Sequence, residues 1–421
     1  MKQSKITNNY DVIIIGVGAS GLMAAVHAAK RGRKTLVVDH GAPAGRKMLI
    51  SGGGKCNITN RWVSTTDYYG ADTSFCKFAL KHFPPEAVLQ LLQKAKIETE
   101  EREHGRIFCK KGANEIVSYL VRSAKDSGVR FLMNAKVSEV SHSPYASCMR
   151  CDELAFKQSD SVSLSVKKSG IFCVKCEEST FEASHLLIAT GGLAWPQIGA
   201  THFGYAIAKQ FGHTVTPLRP ALSGFILPPA SPLLNLQGIS LDVQIQIKGK
   251  NKIIEEPLLF THRGISCPAA LQVSCFWEKG DIVTINFLPS EDIISRMHDP
   301  DNGKLAVKSL VTQFLPERLV KALIPEQLSE RKVAELSKHN RKIIAGYIHH
   351  YTVLPEAVEG FSKAEATLGG ISTHELNPQS MESLRVKGLF FAGEVIDITG
   401  KLGGYNIHWA FASGSIAGQN M

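Results

Sequence analysis

The 421-residue chain has no long apolar run. Its longest uninterrupted apolar stretch near the start, Val12 to Ile15, falls far short of the roughly 20 residues that cross a bilayer. The polar N-terminus is not patterned as a secretion signal, so neither leader nor membrane anchor is expected. No internal repeat or low-complexity block occurs, which excludes repeat architectures. Lys and Arg exceed Asp and Glu by ten, and the sequence pI is ≈ 9.1. Basic residues nevertheless do not interleave with aromatics on one face, the pattern that nucleic-acid binding would want. The expectation is therefore a small-molecule substrate, with no nucleic acid and no membrane as partner.

A secretion-type disulfide framework is also not expected. Nine Cys, an odd number without a secretion signal, point to free thiols in a reducing cytoplasm. Cys148-x2-Cys151 and Cys173-x2-Cys176, 21 residues apart, have the form of a zinc-ligand set. Neither pair is followed by the glycine of a knuckle turn, and a strand over Ile171 to Cys176 would put Cys173 and Cys176 on opposite faces. Incidental hairpin cysteines and no metal are expected, with zinc at these four as the alternative.

What is present is concentrated at the two ends. Tyr10 to Gly21 reads as an apolar strand, a Gly16-x-Gly18-x-x-Gly21 turn and a helix start, and Asp39 closes a second apolar run, Thr35 to Val38. Gly16 permits the tight turn, Gly18 lets backbone approach a pyrophosphate, and Gly21 lets the helix pack on the sheet. Ala19 and Ser20 open a helix whose N-terminal N–H groups suit phosphate, and Gly32 stands where a C-cap belongs. Asp39 is placed to accept from adenosine ribose hydroxyls and would repel a 2′-phosphate, so FAD or NAD is favoured over NADP here. Residues 1–60 carry nine Lys and Arg against two acids, so most of the basic excess surrounds this site.

Helices are expected over 86–97 and 113–127, a strand over Val129 to Met133, and a β-meander over 136–184. That meander leads into the strand Leu186 to Ala189 and the turn Thr190-Gly191-Gly192. From Pro217 short strands (Val243 to Ile247, Ile253 to Phe260, Ile282 to Phe287) suggest a small antiparallel barrel or sandwich. Residues 291–349 read as mostly helical, with a basic outer face at Arg331, Lys332, Lys338, Arg341 and Lys342. From Ala364 the pattern returns to nucleotide-domain material. The fold class is α/β: a Rossmann-type dinucleotide-binding domain (1–216 and 364–421) interrupted by an inserted substrate domain (217–363). The insertion combines the strand-rich stretches (about 217–290 and 350–363) with the helical one (about 291–349), with ligand binding at the junction.

Two further segments belong to the site. Gly45 to Asn60 contains Arg46, Lys47, Ser51, three consecutive glycines ending in Gly54, then Cys56 and Asn57, a cradle of N–H groups and cations for phosphates and the flavin edge. Gly388 to Glu394 is a strand ending in Gly393 and an acid, followed by Asp397, then Gly403, Gly404, Tyr405, Asn406, Ile407 and a helix of small residues through Gly414 and Gly418. Glu394 suits a ribityl hydroxyl, and the helix N-terminus suits the anionic N1–O2 side of reduced flavin. The small residues are expected to bring that helix close to the cofactor sheet. A nicotinamide enzyme needs no such second cofactor-facing segment, so FAD is favoured over NAD.

The strings GRKMLISGGGKCNITN, GRIF, IATGGLAWPQIGATHFGY, LFTHRGIS, TLGGIS and AGEVIDITGKLGGYNIHWAFASGSIAG resemble the YhiN-like bacterial flavoproteins, a family with aminoacetone-oxidase-like and bile-acid-ring-reductase-like (BaiN-type) members. The resemblance spans nearly the whole chain. It implies a three-layer Rossmann-type FAD-binding domain in two pieces, interrupted by an inserted β-barrel plus helical subdomain, with non-covalent FAD lined by Gly18, Ala19, Ser20, Asp39, Arg46, Lys47, Ser51, Cys56, Asn57, Glu394, Asp397, Asn406 and Ile407 and backbone of Val137 at the adenine. Gly16, Gly21, Gly54, Thr190, Gly191, Gly393 and Gly404 complete the expected cofactor set. Two positions depart from the relatives: Cys109 where they resemble GRVFP, and Cys267 where a glycine precedes Pro268.

Flavin N5 exchanges hydride while the protein orients substrate and moves a proton. Candidates for that polar help are Arg106, His262, Tyr405 and Cys56, the last at the ring edge. Cys56 lacks a second cysteine at disulfide-reductase spacing, so a dithiol relay is not expected. No second GxGxxG unit occurs, which leaves NADH or NADPH as a transient reductant or oxygen as acceptor. The expected function is an FAD-dependent oxidoreductase acting on a small organic substrate. The alternatives are an amine or aminoketone oxidase using oxygen and, from another class, a flavoprotein that modifies or binds RNA.

Overall fold

The computed structural model describes residues 8–143, 170–177 and 179–421. Two compact units divide the chain: Met1–Arg219 with Ala366–Met421, and Pro220–Glu365. No helix among the described residues is long and apolar enough to cross a membrane.

The first unit is built on β1 (Asn8–Ile15), β2 (Thr35–Val38), β6 (Arg130–Leu132), β9 (Ser179–Ile188) and β17 (Leu389–Phe391). These five pair in parallel in the order β6-β2-β1-β9-β17. Val12 to Ile15, Thr35 to Val38 and Leu186 to Ile188 are buried throughout, as parallel strands covered on both faces require. Two antiparallel strands, β7 (Val137–Ser143) and β8 (Ile171–Cys176), extend the sheet beyond the first half of β9. The last strand of the expected meander and the apolar strand after it are thus one element. β9 runs antiparallel to β8 through Ala183 and in register with β1 from Phe181 to Ile188, because ten unbroken extended residues serve both neighbours. A separate three-stranded sheet joins β3 (Asn57–Asn60), β5 (Arg106–Cys109) and β4 (Thr99–Arg102) in that order.

Helix α1 (Ala19–Lys30) packs against α4 (Ala113–Asp126) and α8 (Tyr405–Asn420), which explains why every residue from Ser20 to Ala29 except His27 is buried. Gly414 and Gly418 of α8 lie on α1 rather than on the cofactor sheet that the small-residue pattern pointed to. A Cβ on Gly414 would collide with the Ser20 carbonyl, and one on Gly418 would stand 2.5 Å from the Ala24 carbonyl oxygen. Glycine is required at both places because backbone meets backbone. In chain order, the short elements of this unit that follow α1 include α2 (Arg46–Ile50), α3 (Pro85–Lys94) and α5 (Phe203–Gln210).

In the second unit seven antiparallel strands follow the order β15 (Tyr351–Val353), β14 (Val283–Asn286), β11 (Ser240–Ile247), β12 (Ile253–Phe260), β13 (Gly264–Ser266), β10 (Phe225–Ile226) and β16 (Ala357–Val358). The two edge strands are only three residues apart in the chain, a reach of about 14 Å. Seven flat strands would separate them by about 29 Å, so the sheet curls back on itself. Its interior, with Val243, Ile245, Leu258, Phe260, Val283 and Ile285, forms one core with α6 (Cys267–Ser274), α7 (Lys338–His349) and the short helices between 293 and 329.

Two imidazoles of the first unit, half-buried His27 and fully buried His408, are held well below the usual histidine range. His27 Nε2 lies 3.1 Å from Ser415 Oγ at the α1–α8 contact, and burial, helped by Lys30, pulls its pKa down to about 4. His408 Nδ1 lies 2.8 Å from Thr59 Oγ1, and burial brings it to about 4 as well. Both are neutral in the fold and bind a proton near pH 6.5 once unfolded, so the unfolded chain gains protons first on acidification. Stability is expected to be complete above pH 6.5 and to decline as pH falls toward 4. Urea midpoints measured from pH 7.5 to 4.5 should show this decline, reduced in His27→Gln; a pH-independent midpoint would refute it.

Candidate functional site

The first strand delivers the chain into a turn at Gly16 (φ +110), whose N–H donates to the Val38 carbonyl at 2.9 Å. A Cβ on Gly16 would strike the Ala189 carbonyl and one on Gly21 the Gly16 carbonyl, whereas a Cβ on Gly18 would meet nothing within 4 Å. Gly16 and Gly21 therefore serve packing, and Gly18 faces open space. The first helical bond runs from Leu22 N–H to Gly18 C=O, and Gly18 caps α1 without any side chain. The N–H groups ahead of it, including those of Ala19 and Ser20, form a positive, uncapped helix end.

Asp39, 8% exposed, accepts from Val17 N–H at 3.0 Å, Gly41 N–H at 2.9 Å and Arg46 Nη2 at 2.9 Å. Three of the roughly four acceptor sites on its two oxygens are used within the protein. Lys47 Nζ lies 2.6 Å from Glu394 Oε2, and the other oxygen of Glu394 accepts from Thr367 N–H at 2.9 Å. Thr367 Oγ1 in turn accepts from Leu193 and Ala194 N–H at 2.8 and 3.2 Å. The second expected segment and the last one thus meet through Lys47 and Glu394. Among the described residues, Thr190 Oγ1 and the Tyr205 hydroxyl are buried without a hydrogen-bond partner, and a Cβ on Gly191 would meet nothing within 4 Å. Glu394 and Asp397 are the charges that bear on Tyr205.

Asp397 is buried and accepts from Thr216 Oγ1 at 3.2 Å and Ala71 N–H at 3.4 Å, and burial holds its pKa above the usual carboxylate range. Gly393 (φ +81) stands against Ser20 Oγ, and Ser51 Oγ donates to the Met48 carbonyl at 2.9 Å. Gly54 closes the triple-glycine turn with φ +85, and Asn57 lies against Gly404 at the start of α8. Asn406 is committed locally, its amide bonding both N–H and C=O of Gly400 at 2.8 and 2.9 Å, while Ile407 is half-buried beside it. Val137 opens β7 (Val137–Ser143), buried and opposite Cys176.

Of the four catalytic candidates, the structure brings Arg106 and Tyr405 together. Arg106 Cγ and Nε lie 3.5 Å from where a Cβ of Gly403 would stand, and its charge acts on the Tyr405 hydroxyl. Burial nevertheless pushes Tyr405 up to about 12. His262 belongs to the second unit, exposed on the turn from β12 to β13, where Thr261 Oγ1 accepts from Gly264 N–H at 3.1 Å. Cys56 is corrected: rather than an accessible ring-edge thiol it is 0% exposed, and burial with the neighbouring Cys109 pushes it up to about 12. Cys173 and Cys176 are both buried in β8, while Cys148 and Cys151 lie outside the described residues. Among the described residues no three His, Cys, Asp or Glu side chains gather to hold a metal.

Sequence reasoning missed Thr367, Tyr205 and Asn60. TLGGIS and IGATHFGY signalled the first two as strings but gave no local rule for their partners. Buried Asn60 donates to the carbonyls of His104 at 3.0 Å and Gly403 at 3.1 Å, and its Oδ1 accepts from Trp62 N–H at 3.1 Å.

A parallel sheet, an uncapped glycine-turned helix end and an acid closing β2 define a Rossmann-type FAD-binding protein, a flavin-dependent oxidoreductase. The chain belongs to the HI0933-like protein Rossmann domain family, whose model matches residues 10–420. It is 36% identical over 417 residues to a protein of Escherichia coli K12 named ribosomal RNA dihydrouridine synthase, covering 98% of each chain. A Haemophilus influenzae protein of the same name is 37% identical over 406 residues, covering 95% of this chain and 96% of that one. The 3-dehydro-bile acid delta(4,6)-reductase of Clostridium scindens is 27% identical over 426 residues, covering 96% and 97%.

A thiol with a pKa near 12 is ionised to roughly one part in ten thousand at pH 8. Cys56, and likewise Cys109, should therefore resist iodoacetamide in the native protein and react only after denaturation. Peptide mapping that finds Cys56 alkylated before unfolding would overturn its assignment as a packing group.

Proposed function

We propose that the chain is an FAD-dependent reductase that saturates the C5–C6 double bond of uridine in ribosomal RNA. The observation that carries this is the 36–37% identity, along almost the full length, to two proteins named for that reaction. The third relative supports the same chemistry from another side, because a delta(4,6)-reductase also acts on a C=C bond conjugated with a carbonyl. In uracil the C4 carbonyl activates C6 toward hydride, and C5 then takes a proton. This reading replaces the expected small-molecule substrate and admits the RNA partner that the linear charge pattern argued against. Residues that line a folded site need not interleave in sequence.

FAD, when bound, would supply the hydride at N5, with a pyridine nucleotide, NADH or NADPH, as its source of electrons. The chain has the space and the donors for it: open volume beside Gly18 and Gly191, the uncapped end of α1, and Thr190 Oγ1 left unpartnered inside. In this reading Gly18, Ala19 and Ser20 receive the pyrophosphate, and Asp39 gives its remaining acceptor site to the ribose. Backbone at Val137 faces adenine. Glu394, oriented by Lys47 and Thr367, meets the ribityl chain, and the α8 end at Gly404 and Ile407 faces the N1–O2 side. The proton comes from Tyr405, which at about 12 stays protonated across neutral pH.

The test is anaerobic incubation of the holoprotein, NADH or NADPH, and ribosomal RNA from cells lacking the gene, followed by nucleoside mass spectrometry. Dihydrouridine is expected. Its absence, with reduction of a 3-oxo-Δ4 steroid instead, would favour the second reading, a reductase of small conjugated ketones suggested by the bile-acid relative. Asp39→Ala should lose flavin on gel filtration at least about tenfold faster; equal retention would remove Asp39 from the ribose site. Tyr405→Phe should keep its flavin and lose about 10²–10⁴ in rate, as removal of a general acid does. The parent rate should also show no basic limb between pH 7 and 10.

A further inference from the structure

Trp62 is 67% exposed, and of the large apolar side chains exposed among the described residues it alone is aromatic. It is nonetheless firmly seated. Ring carbons Cζ3 and Cε3 lie 2.8 and 2.9 Å from where a Cβ of Gly105 would stand, so the indole rests on a backbone position that only glycine leaves open. That position is itself a tight left-handed turn, His104 at φ +59 and Gly105 at φ +67. Arg61 N–H donates to the Gly105 carbonyl at 2.8 Å, which holds the start of the Trp62 segment on the same turn.

One buried side chain ties this platform to the rest of the site. Asn60 accepts from Trp62 N–H and donates to the carbonyls of His104 and Gly403. Gly403 is where Arg106 packs, and Tyr405 follows two residues later as the first residue of α8. One amide thereby ties the Trp62 segment to the two turns, at His104 and Gly403, that lead into Arg106 and Tyr405. The acids nearby are largely matched: Arg61 pairs with Glu101, and Lys55 and Arg102 both pair with Glu100.

We infer that Trp62 stacks on an unpaired base of the RNA substrate next to the uridine being reduced, and so acts as a positioning group for that RNA. The inference rests on the proposed RNA reaction. A uridine taken out of its stack leaves a neighbour without its partner, and an aromatic face is the common receptor for such a base. Stacking tolerates any base, which suits a residue whose ring presents no hydrogen-bonding group other than Nε1–H. A small conjugated ketone would need no platform outside the pocket that receives it.

Holoprotein with Trp62→Ala or Trp62→Phe tests this, using single-stranded octauridylate for binding and ribosomal RNA for turnover. Because the ring is mostly in water, both variants should fold and carry FAD as the parent does. Octauridylate should quench the tryptophan fluorescence of the parent but not that of Trp62→Phe. Trp62→Ala should bind the oligonucleotide about 5- to 150-fold more weakly, the loss expected for one stacked base, with Trp62→Phe near the parent. Equal binding by Trp62→Ala and the parent, alongside normal dihydrouridine formation, would overturn the stacking role and leave the reaction intact. A parent that neither binds octauridylate nor forms dihydrouridine would overturn the RNA reading itself.

Discussion

Direct backbone contact between α1 and α8 is the constraint from which the first unit is organised. Ser20 and Ala24 expose their carbonyls to Gly414 and Gly418, and a methyl group at either glycine would drive the helices apart. Overpacking of that kind costs typically 1–3 kcal/mol, more where the obstacle is a carbonyl that cannot rotate away. The contact fixes α8 beside the first glycine turn. From α8, Ser413 Oγ accepts from Gly393 N–H at 3.0 Å, and Trp409 Nε1 donates to the Gly393 carbonyl at 3.2 Å. Gly393 so held aims Glu394 at Lys47. Helix packing, loop conformation and the charge pair at the site form one mechanical chain.

The electrostatics of the site differ from a simple cationic cradle. Arg46 and Lys47 belong to the basic N-terminal stretch, but each is bonded to an acid of the same pocket, Asp39 and Glu394. An anionic ligand would meet cations already balanced, so attraction comes from helix N–H groups and open glycine positions more than from net charge. The basic excess of residues 1–60 therefore serves geometry as well as attraction. Charged groups that hold each other in place give a preformed site with little to reorganise on binding.

Much of this was legible because it followed local rules. Gly16, Gly18, Gly21 and Asp39 each answer to a turn, an approach, a packing contact or a strand end, and all are within thirty residues of one another. Gly414 and Gly418 announced a close approach, but spacing alone does not say to what, and the neighbour is α1. Thr367 had no local pattern: its hydroxyl serves Leu193 and Ala194, more than 170 residues away. Cys56 was misread because residue type shows reactivity while burial decides it. The two departures from the relatives have local explanations. Cys109 donates its N–H to the Lys55 carbonyl at 2.9 Å, a bond that proline cannot make. Cys267 sits at φ +74, which glycine reaches without strain.

The pairing of Ile188 with Phe391 bears on how the molecule is made. During synthesis the inner edge of β9 emerges roughly two hundred residues before the strand that covers it. At ribosomal speeds of about 5–20 residues per second, that edge waits about 10–40 s with its N–H and C=O groups unpaired. An apolar strand left open for so long is a template for pairing with other chains. The nascent polypeptide is thus most vulnerable to aggregation midway through translation, and slower elongation across 190–390 would lengthen that window.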